Sequence, residues 1–211
     1  AVAAAAVAEL SFGEVPAPTD TPVPPRPSDM KTLHETSIDC GVDEFFTHGW
    51  SDSARLSFTE HVHRSRGETG VRITGWSRHR HHGHARDLTF VAPVNASFGP
   101  KTTNCHQSQS YHMCRDGVLV IDTSQVMADI PYGDYFRVES RWEVAPAAPV
   151  LNRDGTVTNR STVWVGLRIP FHRNTMLRSI IEQGASEESK ISVGAVIELM
   201  RTRLRERRAV V

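Results

Sequence analysis

A run of histidines between residues 78 and 84 is the part of this sequence whose side chains could bind a metal ion. The run reads RHRHHGH, and imidazole pairs such as His79 with His81, or His81 with His84, can chelate a divalent cation. Neither a carboxylate nor a cysteine stands beside these histidines to complete a coordination shell. We therefore predict a solvated hairpin connection between two strands, with no metal ion and no cofactor.

Nucleophilic catalysis would need a serine or cysteine in a recognisable sequence frame, and we find none. The sequence contains no G-x-S-x-G elbow. Its three cysteines, Cys40, Cys105 and Cys114, are an odd number at wide spacings, which fits neither a disulfide framework nor a zinc pattern. We therefore predict reduced thiols and a protein that is not an enzyme.

Arginines accumulate near the C-terminal end of the sequence. Such a cluster can touch anionic lipid headgroups or nucleic acid, or it can be the solvated end of a helix, where cations are favourable. The chain has 24 basic and 24 acidic side chains and no net charge, which argues against nucleic acid as a partner. A membrane surface, with anionic lipids in it, and a plain helix end remain as the two interpretations of Arg201, Arg203, Arg205, Arg207 and Arg208.

The elements that must position any site begin after a linker. Residues 1–30 are rich in Ala and Pro, and six of the chain's 12 prolines fall between Pro16 and Pro27. Such a composition favours extended, solvated backbone and cannot build a core. We therefore predict a disordered linker over 1–30 and a folded domain over 31–207.

The order of the predicted elements is short helices, then strands, then one long helix. The patterns predict a short strand at 36–40, helices at 42–50 and 52–63, and a closing helix at 185–207. Strands that follow one another through gaps rich in Gly, Pro, Asn and Asp pair as an antiparallel sheet, so the predicted fold class is α+β. The strand candidates are 70–80, 85–93, 102–115, 117–128, 135–145 and 159–170.

The segment DIPYGDYFRVESRW, residues 129–142, joins a turn to a strand with clean alternation. Pro131 and Gly133 stand where a type I turn prefers Pro at its second position and Gly at its fourth. In the strand that follows, residues 136, 138, 140, 142 and 144 share one face, and the charged residues between them share the other. One face of this strand should therefore meet water and the other an apolar interior.

Two stretches of the sequence together resemble one family. ARDLTFVAPVNASFGPKTTNCHQSQSY at 85–111, followed by DIPYGDYFRVESRWEV at 129–144, looks like the VASt domain, a StAR-related lipid-transfer-like domain of GRAM-domain sterol transporters and plant cell-death regulators. The resemblance extends over about residues 34–205. The residues that carry it are Arg86, Leu88, Phe90, Pro93, Gly99, Pro100, Lys101, Gln109, Asp129, Pro131, Tyr132, Gly133, Asp134 and Phe136.

The resemblance implies a helix-grip fold, in which a curved antiparallel sheet wraps around a long C-terminal helix. It also implies a hydrophobic cavity that takes up a sterol or similar lipid and carries it, without catalysis, between apposed membranes. The setting would be a cytosolic-facing domain at contacts between the endoplasmic reticulum and the plasma membrane. The anchor and possible protein-binding regions would lie in flanking parts of a longer chain. The alternative is a protein-interaction or signalling module that keeps the fold and has a filled core.

Two sets of residues become candidates for the site under this resemblance. Aromatic and aliphatic residues on the sheet and helix faces could line a lipid cavity, although such residues are more often core. The loop 93–101 is long for a hairpin connection and is the candidate gate, with Phe98 at its tip, although it could be a simple connection. The candidate lining residues are Phe90, Phe136, Val138, Trp142, Leu167, Val193, Ile197 and Met200, and the candidate gate residues are Phe98, Gly99, Pro100 and Lys101.

Overall fold

The structure is a computed structural model, and it describes residues 18–79, 83–94 and 99–208. The strands are β1 (Lys31–Ile38), β2 (Thr69–Ile73), β3 (Ser77–His79), β4 (Gly83–Pro93), β5 (Thr102–Met113), β6 (Leu119–Met127), β7 (Val138–Leu151) and β8 (Val157–Arg168). The helices are α1 (Val42–Gly49), α2 (Glu60–Ser65) and α3 (Arg178–Arg208), with a π-helical turn at Arg55–Thr59 and a 3₁₀ turn at Arg115–Gly117.

All eight described strands form one antiparallel sheet. Its order is β1-β8-β7-β6-β5-β4-β2, with β3 paired to β4 beside β2. The sheet is curved, and the helices lie against its concave face. The α+β fold class and the sheet gripping a C-terminal helix, both predicted from the sequence, are confirmed.

The core lies between the concave face and the second half of α3. Four residues of α3 at helical spacing are buried there, because the spacing of three to four residues puts them on one face. They pack against α1 and the central strands. These helix residues are Val193, Ile197, Met200 and Leu204.

Several element boundaries differ from the prediction for physical reasons. Helix α3 begins at Arg178 and not at 185, because its first half carries too few apolar residues to show a helical stripe. The predicted strand 70–80 is divided into β2 and β3, since Trp76 turns aside and donates its indole N–H to the carbonyl of Trp50 at 2.7 Å. The predicted helix 52–63 is a π-helical turn followed by the shorter α2.

The turn before β7 is not of type I. Tyr132, its third residue, has φ +65°, whereas a type I turn needs a negative φ there and a type II turn a positive one. The N–H of Gly133 donates to the carbonyl of Ile130 at 3.1 Å and closes the turn. A side chain at Gly133 would collide with the backbone oxygen of Met127, so the fourth position needs glycine for space.

Residues 18–30 run along the convex face, opposite the helices. They have no helix or strand, in keeping with their composition, but they are held by specific contacts. Arg26 donates to Glu143 at 2.8 Å, and its guanidinium carbon lies 3.7 Å from the ring centre of Trp164. We call this segment the N-terminal strap; Arg141 binds it as well, donating to the carbonyl of Pro25 at 3.0 Å.

Within the described residues, no helix is both long enough and apolar enough to cross a membrane.

Candidate functional site

A cavity of about 720 Å³ lies between the concave face of the sheet and the helices. Its walls come from strands β4 to β8, from α2 and the turn that precedes it, and from the first half of α3. The second half of α3 is packed into the core, so the cavity occupies the space that the first half of the helix spans without close packing. A cavity of this size is in the range that small-molecule ligands occupy.

The floor of the cavity is formed by rows of side chains that are register partners on neighbouring strands, and apolar rows alternate with polar ones. Beneath the cavity, four residues paired side by side across β5 to β8 form an apolar row that is buried in the core. Trp142 belongs to this row and also borders the cavity, where its ring meets that of Trp50 edge-on at 5.7 Å. The row consists of Tyr111, Ile121, Trp142 and Val165.

The next row towards the opening is polar. Arg86, Gln109, Thr123 and Ser140 are register partners across β4 to β7, and all four line the cavity. Arg86 donates to Gln109 at 2.7 Å, and the hydroxyls of Thr123 and Ser140 are 2.7 Å apart. Arg86 also donates to the carbonyl of Trp50 at 3.0 Å. Buried polar groups need such partners, and this row satisfies its members largely within itself.

A second polar pair follows the first row. Gln107 and Gln125 are register partners on β5 and β6, and the amide of Gln107 donates to the Gln125 oxygen at 3.1 Å. Gln107 in turn accepts a bond from Gln109 at 2.5 Å. Hydrogen bonds thus connect Arg86, Gln109, Gln107 and Gln125 in series, and the Thr123–Ser140 pair lies beside them in the sheet register. We call these six residues together the polar belt. The belt consists of Arg86, Gln107, Gln109, Thr123, Gln125 and Ser140.

Beyond the belt the floor becomes apolar again towards the cavity opening. Phe90, Cys105 and Met127 are register partners across β4 to β6 and line this part. Burial raises the pKa of the Cys105 thiol to about 12, which keeps the thiol protonated and unsuited to act as a nucleophile. The ring of Phe90 lies 4.5 Å from that of His63 on α2.

A charged cluster joins the helices at the side of the cavity. The buried carboxylate of Glu68 makes a short contact with Nδ1 of His63 and an ion pair with Arg66 at 3.1 Å. Arg66 also donates to the hydroxyl of Ser192 on α3 at 2.9 Å. These bonds tie the connection after α2 to the first half of α3, and they compensate each charge locally.

Three connections form the rim of the opening, because they all lie at one end of the antiparallel sheet. They are β4–β5, β6–β7 and β8–α3. The last two contact each other: the N–H of His172 donates to the carbonyl of Tyr135 at 3.0 Å, and the Phe136 and Phe171 rings stack at 5.4 Å. Large apolar side chains are exposed along this rim and the adjoining face of α3, namely Tyr132, Met176, Leu177, Ile180 and Ile191.

The structure places six of the eight candidate lining residues on the cavity wall. Ile197 and Met200 are not on the wall; they are fully buried in the core. The reason is close packing of the second half of α3, where a Cβ on Gly49 would collide with the Met200 methyl group. The six on the wall are Phe90, Phe136, Val138, Trp142, Leu167 and Val193.

The candidate gate loop is described only in part. Phe98 lies outside the described residues. Gly99 has φ +93°, a left-handed conformation that favours glycine, and the carbonyl of Lys101 accepts a 2.8 Å bond from the N–H of Val94. Val94 lines the cavity, so the described part of the loop borders the opening.

The histidine run is described at its two ends. His79 is in β3 and His84 is in β4, where its ring stacks on Tyr111 at 4.7 Å, while His81 lies outside the described residues. Burial and the charge of Arg78 lower the pKa of His84. Among the residues that the structure describes, no three potential ligands gather as they would around a metal ion.

Sequence reasoning missed the polar belt. The family resemblance includes Arg86 and Gln109 but implies no role for them, and strand alternation puts Ser140 on an inward face without predicting a polar contact. The sequence does contain a signal for the belt. Gln107 and Gln109 are two residues apart, and so are Thr123 and Gln125. Each pair therefore lies on one face of its strand.

A curved antiparallel sheet that grips one long helix around an open cavity is the architecture of a StAR-related lipid-binding domain. The chain belongs to the VASt family, described as the VAD1 Analog of StAR-related lipid transfer domain, whose model matches residues 32–188. The resemblance stated from the sequence is thereby confirmed. VASt is a family of lipid-binding domains and is generally not enzymatic.

The chain is similar to the protein VASCULAR ASSOCIATED DEATH 1, chloroplastic, of Arabidopsis thaliana, with 33% identity over 192 residues. The match covers 90% of this chain and 31% of the relative, so the chain spans about a third of that protein's length. A solved structure of a putative uncharacterized protein from Rhizobium leguminosarum aligns with a TM-score of 0.41 and 14% identity. That alignment covers 82% of this chain and 95% of the other.

Proposed function

We propose that this domain takes up a sterol or similar lipid in its cavity and transfers it between membranes without chemical change. The observation that carries the proposal is the cavity of about 720 Å³, which lies on the concave face and is bordered by an apolar rim. Removing apolar surface from water contributes about 25 cal/mol per Å², so a mostly apolar ligand gains several kcal/mol inside such a cavity. The cavity also favours a carrier over the alternative of an interaction module with a filled core.

The rim supports docking to a membrane. Met176 is fully exposed and Ile180 is 69% exposed. Ile180 and Ile191 both line the cavity and face solvent, so the apolar surface continues from the rim into the interior. A bilayer that receives this rim would cover the exposed side chains and place the opening against the lipid.

Exchange of the ligand needs a moving element, and we consider two of the elements at the opening. One is the loop 93–101, which we retain as a candidate gate. The other is the first half of α3, which spans the cavity and is tied to the connection after α2 through Arg66. Opening of either element would expose the cavity to the bilayer.

The setting that we propose is a cytosolic-facing domain at contacts between the endoplasmic reticulum and the plasma membrane. The supporting observation is membership of the VASt family. In this proposal, a membrane anchor and protein-binding regions would belong to flanking parts of a longer chain.

Equilibrium binding of the fluorescent sterol dehydroergosterol to the purified domain tests the proposal. We expect saturable binding by the wild-type chain and strongly reduced binding by Ala185→Phe, which places a ring in the cavity from α3. The matched variant Gln183→Phe changes an exposed residue of the same helix that is not on the cavity wall and should bind as wild type does. Equal binding by both variants would show that the sterol does not occupy the cavity.

A further inference from the structure

The N-terminal strap meets the convex face of the sheet as a bound peptide would. Within residues 18–30 three side chains are partly buried, namely Pro24, Pro27 and Met30, and the others are exposed. The three are spaced by three residues, and a polyproline II helix has three residues per turn, so that every third residue points to the same side. The half-buried edge of the strap is therefore a P-x-x-P pattern.

The convex face supplies the groups that such a segment needs. Proline has a carbonyl acceptor and no N–H donor, and Arg141 meets the strap with donors, one of which bonds to the carbonyl of Pro25 at 3.0 Å. Asp122 holds Arg141 in place at 2.8 Å. The ring of Trp164 lies under the guanidinium of Arg26 at 3.7 Å. An aromatic ring in a groove is the usual means of binding a proline-rich segment.

The carboxylate of Glu143 under the strap is only half used. This residue is 9% exposed, and the Nε and Nη2 atoms of Arg26 lie 2.8 and 2.7 Å from one and the same oxygen, Oε2. The other oxygen, Oε1, is buried and accepts no hydrogen bond from the described part of the chain. Leaving a buried acceptor unpaired is costly. An arginine that makes two parallel bonds would satisfy both oxygens, so a different segment can fit this groove better than the strap does.

The strap can leave the groove without disturbing the sheet. Pairing of β1 with β8 begins at Lys31, and the strap joins it through a turn in which the N–H of Met30 donates to the carbonyl of Pro27 at 3.0 Å. The side chain of Arg26 is 50% exposed although it is bound. The short link keeps the strap at a high effective concentration over its own groove. A second copy of the chain brings the same sequence and gains nothing by exchange, so a better-fitting segment of another protein is the favoured competitor.

We infer that this convex groove is a docking site for a proline-rich segment of a partner protein, of the type P-x-x-P with an arginine between the prolines. The strap occupies the site until such a segment displaces it. The partner's prolines then take the places of Pro24 and Pro27, and its arginine stacks on Trp164 and bonds to both oxygens of Glu143. The groove is on the face opposite the cavity, so the inference does not depend on the proposed function.

Binding of a fluorescent peptide with the sequence of residues 18–30 to the full chain, followed by anisotropy, tests the inference. Arg26→Ala in the chain weakens the strap and leaves the groove intact. This chain should bind the peptide about tenfold or more tightly than the wild type does, because apparent affinity rises with the fraction of open grooves. Adding Glu143→Gln should lower the affinity by about tenfold to a hundredfold. Glu139→Gln, on the same face of β7, is the matched control and should retain it.

Changes in the peptide protect the test against misfolding, because the protein stays the same. With the Arg26→Ala chain, peptides that carry Pro24→Ala, Pro27→Ala or Arg26→Ala should bind more weakly than the parent peptide. The peptide with Pro25→Ala, at an exposed position, should bind as the parent does.

Two results would overturn the inference. One is an Arg26→Ala chain that binds no peptide or binds all the peptides equally, which would make the strap a fixed part of the domain. The other is a wild-type chain that sediments as a dimer and an Arg26→Ala chain that sediments as a monomer, which would assign the groove to a second copy.

Discussion

The guanidinium of Arg66 donates a hydrogen bond of 2.9 Å to the hydroxyl of Ser192 and so joins the connection after α2 to the first half of α3. Arg66 also lies 4.0 Å from Glu188, one turn earlier on the same helix. The buried residues of α3 begin at Val193. The preceding turns of the helix, which overlie the cavity, are therefore held by few interactions, and the contact with Arg66 is one of them.

Removal of this contact should loosen the first half of α3. Ser192→Ala removes the acceptor and leaves Arg66 paired with Glu68, at a cost of about 1 kcal/mol. We expect faster hydrogen exchange over residues 180–192 and release of bound dehydroergosterol that is about twofold to tenfold faster. Ser186→Ala, on the same helix, is the control. Release rates that are equal in the two variants would show that this contact does not restrain the helix.

The N-terminal strap should contribute to stability through its fit against β8. A Cβ at Gly166 would collide with the Trp164 ring and with Met30 of the strap. Gly166→Ala should therefore lower the free energy of unfolding by about 1–3 kcal/mol, as overpacking does, measured by denaturant titration. Gly194→Ala in α3 meets nothing within 4 Å and should instead stabilise by about 0.5–1 kcal/mol. A neutral Gly166→Ala would mean that the strap does not pack there.

Two buried thiols should make the domain less stable in alkali. Burial raises the pKa of Cys40 and of Cys105 to about 12, from the ordinary 9.0. Between pH 9 and pH 12 the unfolded chain releases these protons and the folded chain keeps them, so stability is lost as the pH rises through this window and is unaffected below it. The denaturant midpoint should fall between pH 8 and pH 10, and less in the variant with both cysteines changed to Ala. An equal fall in both proteins would assign the effect to other groups.

The rim should bind membranes through its exposed apolar residues. Replacing Met176 and Leu177 together by Glu should weaken sedimentation with vesicles of phosphatidylcholine and phosphatidylserine by tenfold or more, because two side chains worth about 1.5–3 kcal/mol each when buried are lost. Binding of dehydroergosterol in solution should remain. The matched control replaces Leu151 and Val157, exposed at the β7–β8 hairpin at the opposite end of the sheet. Equal losses in the two double variants would argue against docking by the rim.

The alternation of apolar residues predicted the antiparallel sheet and the two faces of β7. Val138 and Trp142 lie on the cavity side of β7, and Glu139, Arg141 and Glu143 bind partners on the other side. The same rule applied to β8 leaves Trp164 facing away from the core, and it is buried there under Arg26 of the strap. Composition alone could not predict this contact, since prolines and alanines suggested a solvated linker.

The helix face and the belt show where sequence patterns lose information. A stripe at helical spacing puts Val193, Ile197 and Met200 on one face, but only packing decides that the first borders the cavity and the other two fill the core. Sequence patterns did not predict the belt, because an amphipathic pattern is recognised by its apolar residues. Gln107 and Gln125 are polar residues on an inward face. Only the strand register shows that they are neighbours.

Transfer of dehydroergosterol between two populations of vesicles, followed by energy transfer to an acceptor lipid, tests the central claim most directly. The domain should accelerate transfer at catalytic amounts. Ala185→Phe should abolish the acceleration, because it fills the cavity, while Gln183→Phe should retain it. A wild-type domain that leaves the transfer rate at its spontaneous value and carries no bound sterol after incubation with vesicles would contradict the account.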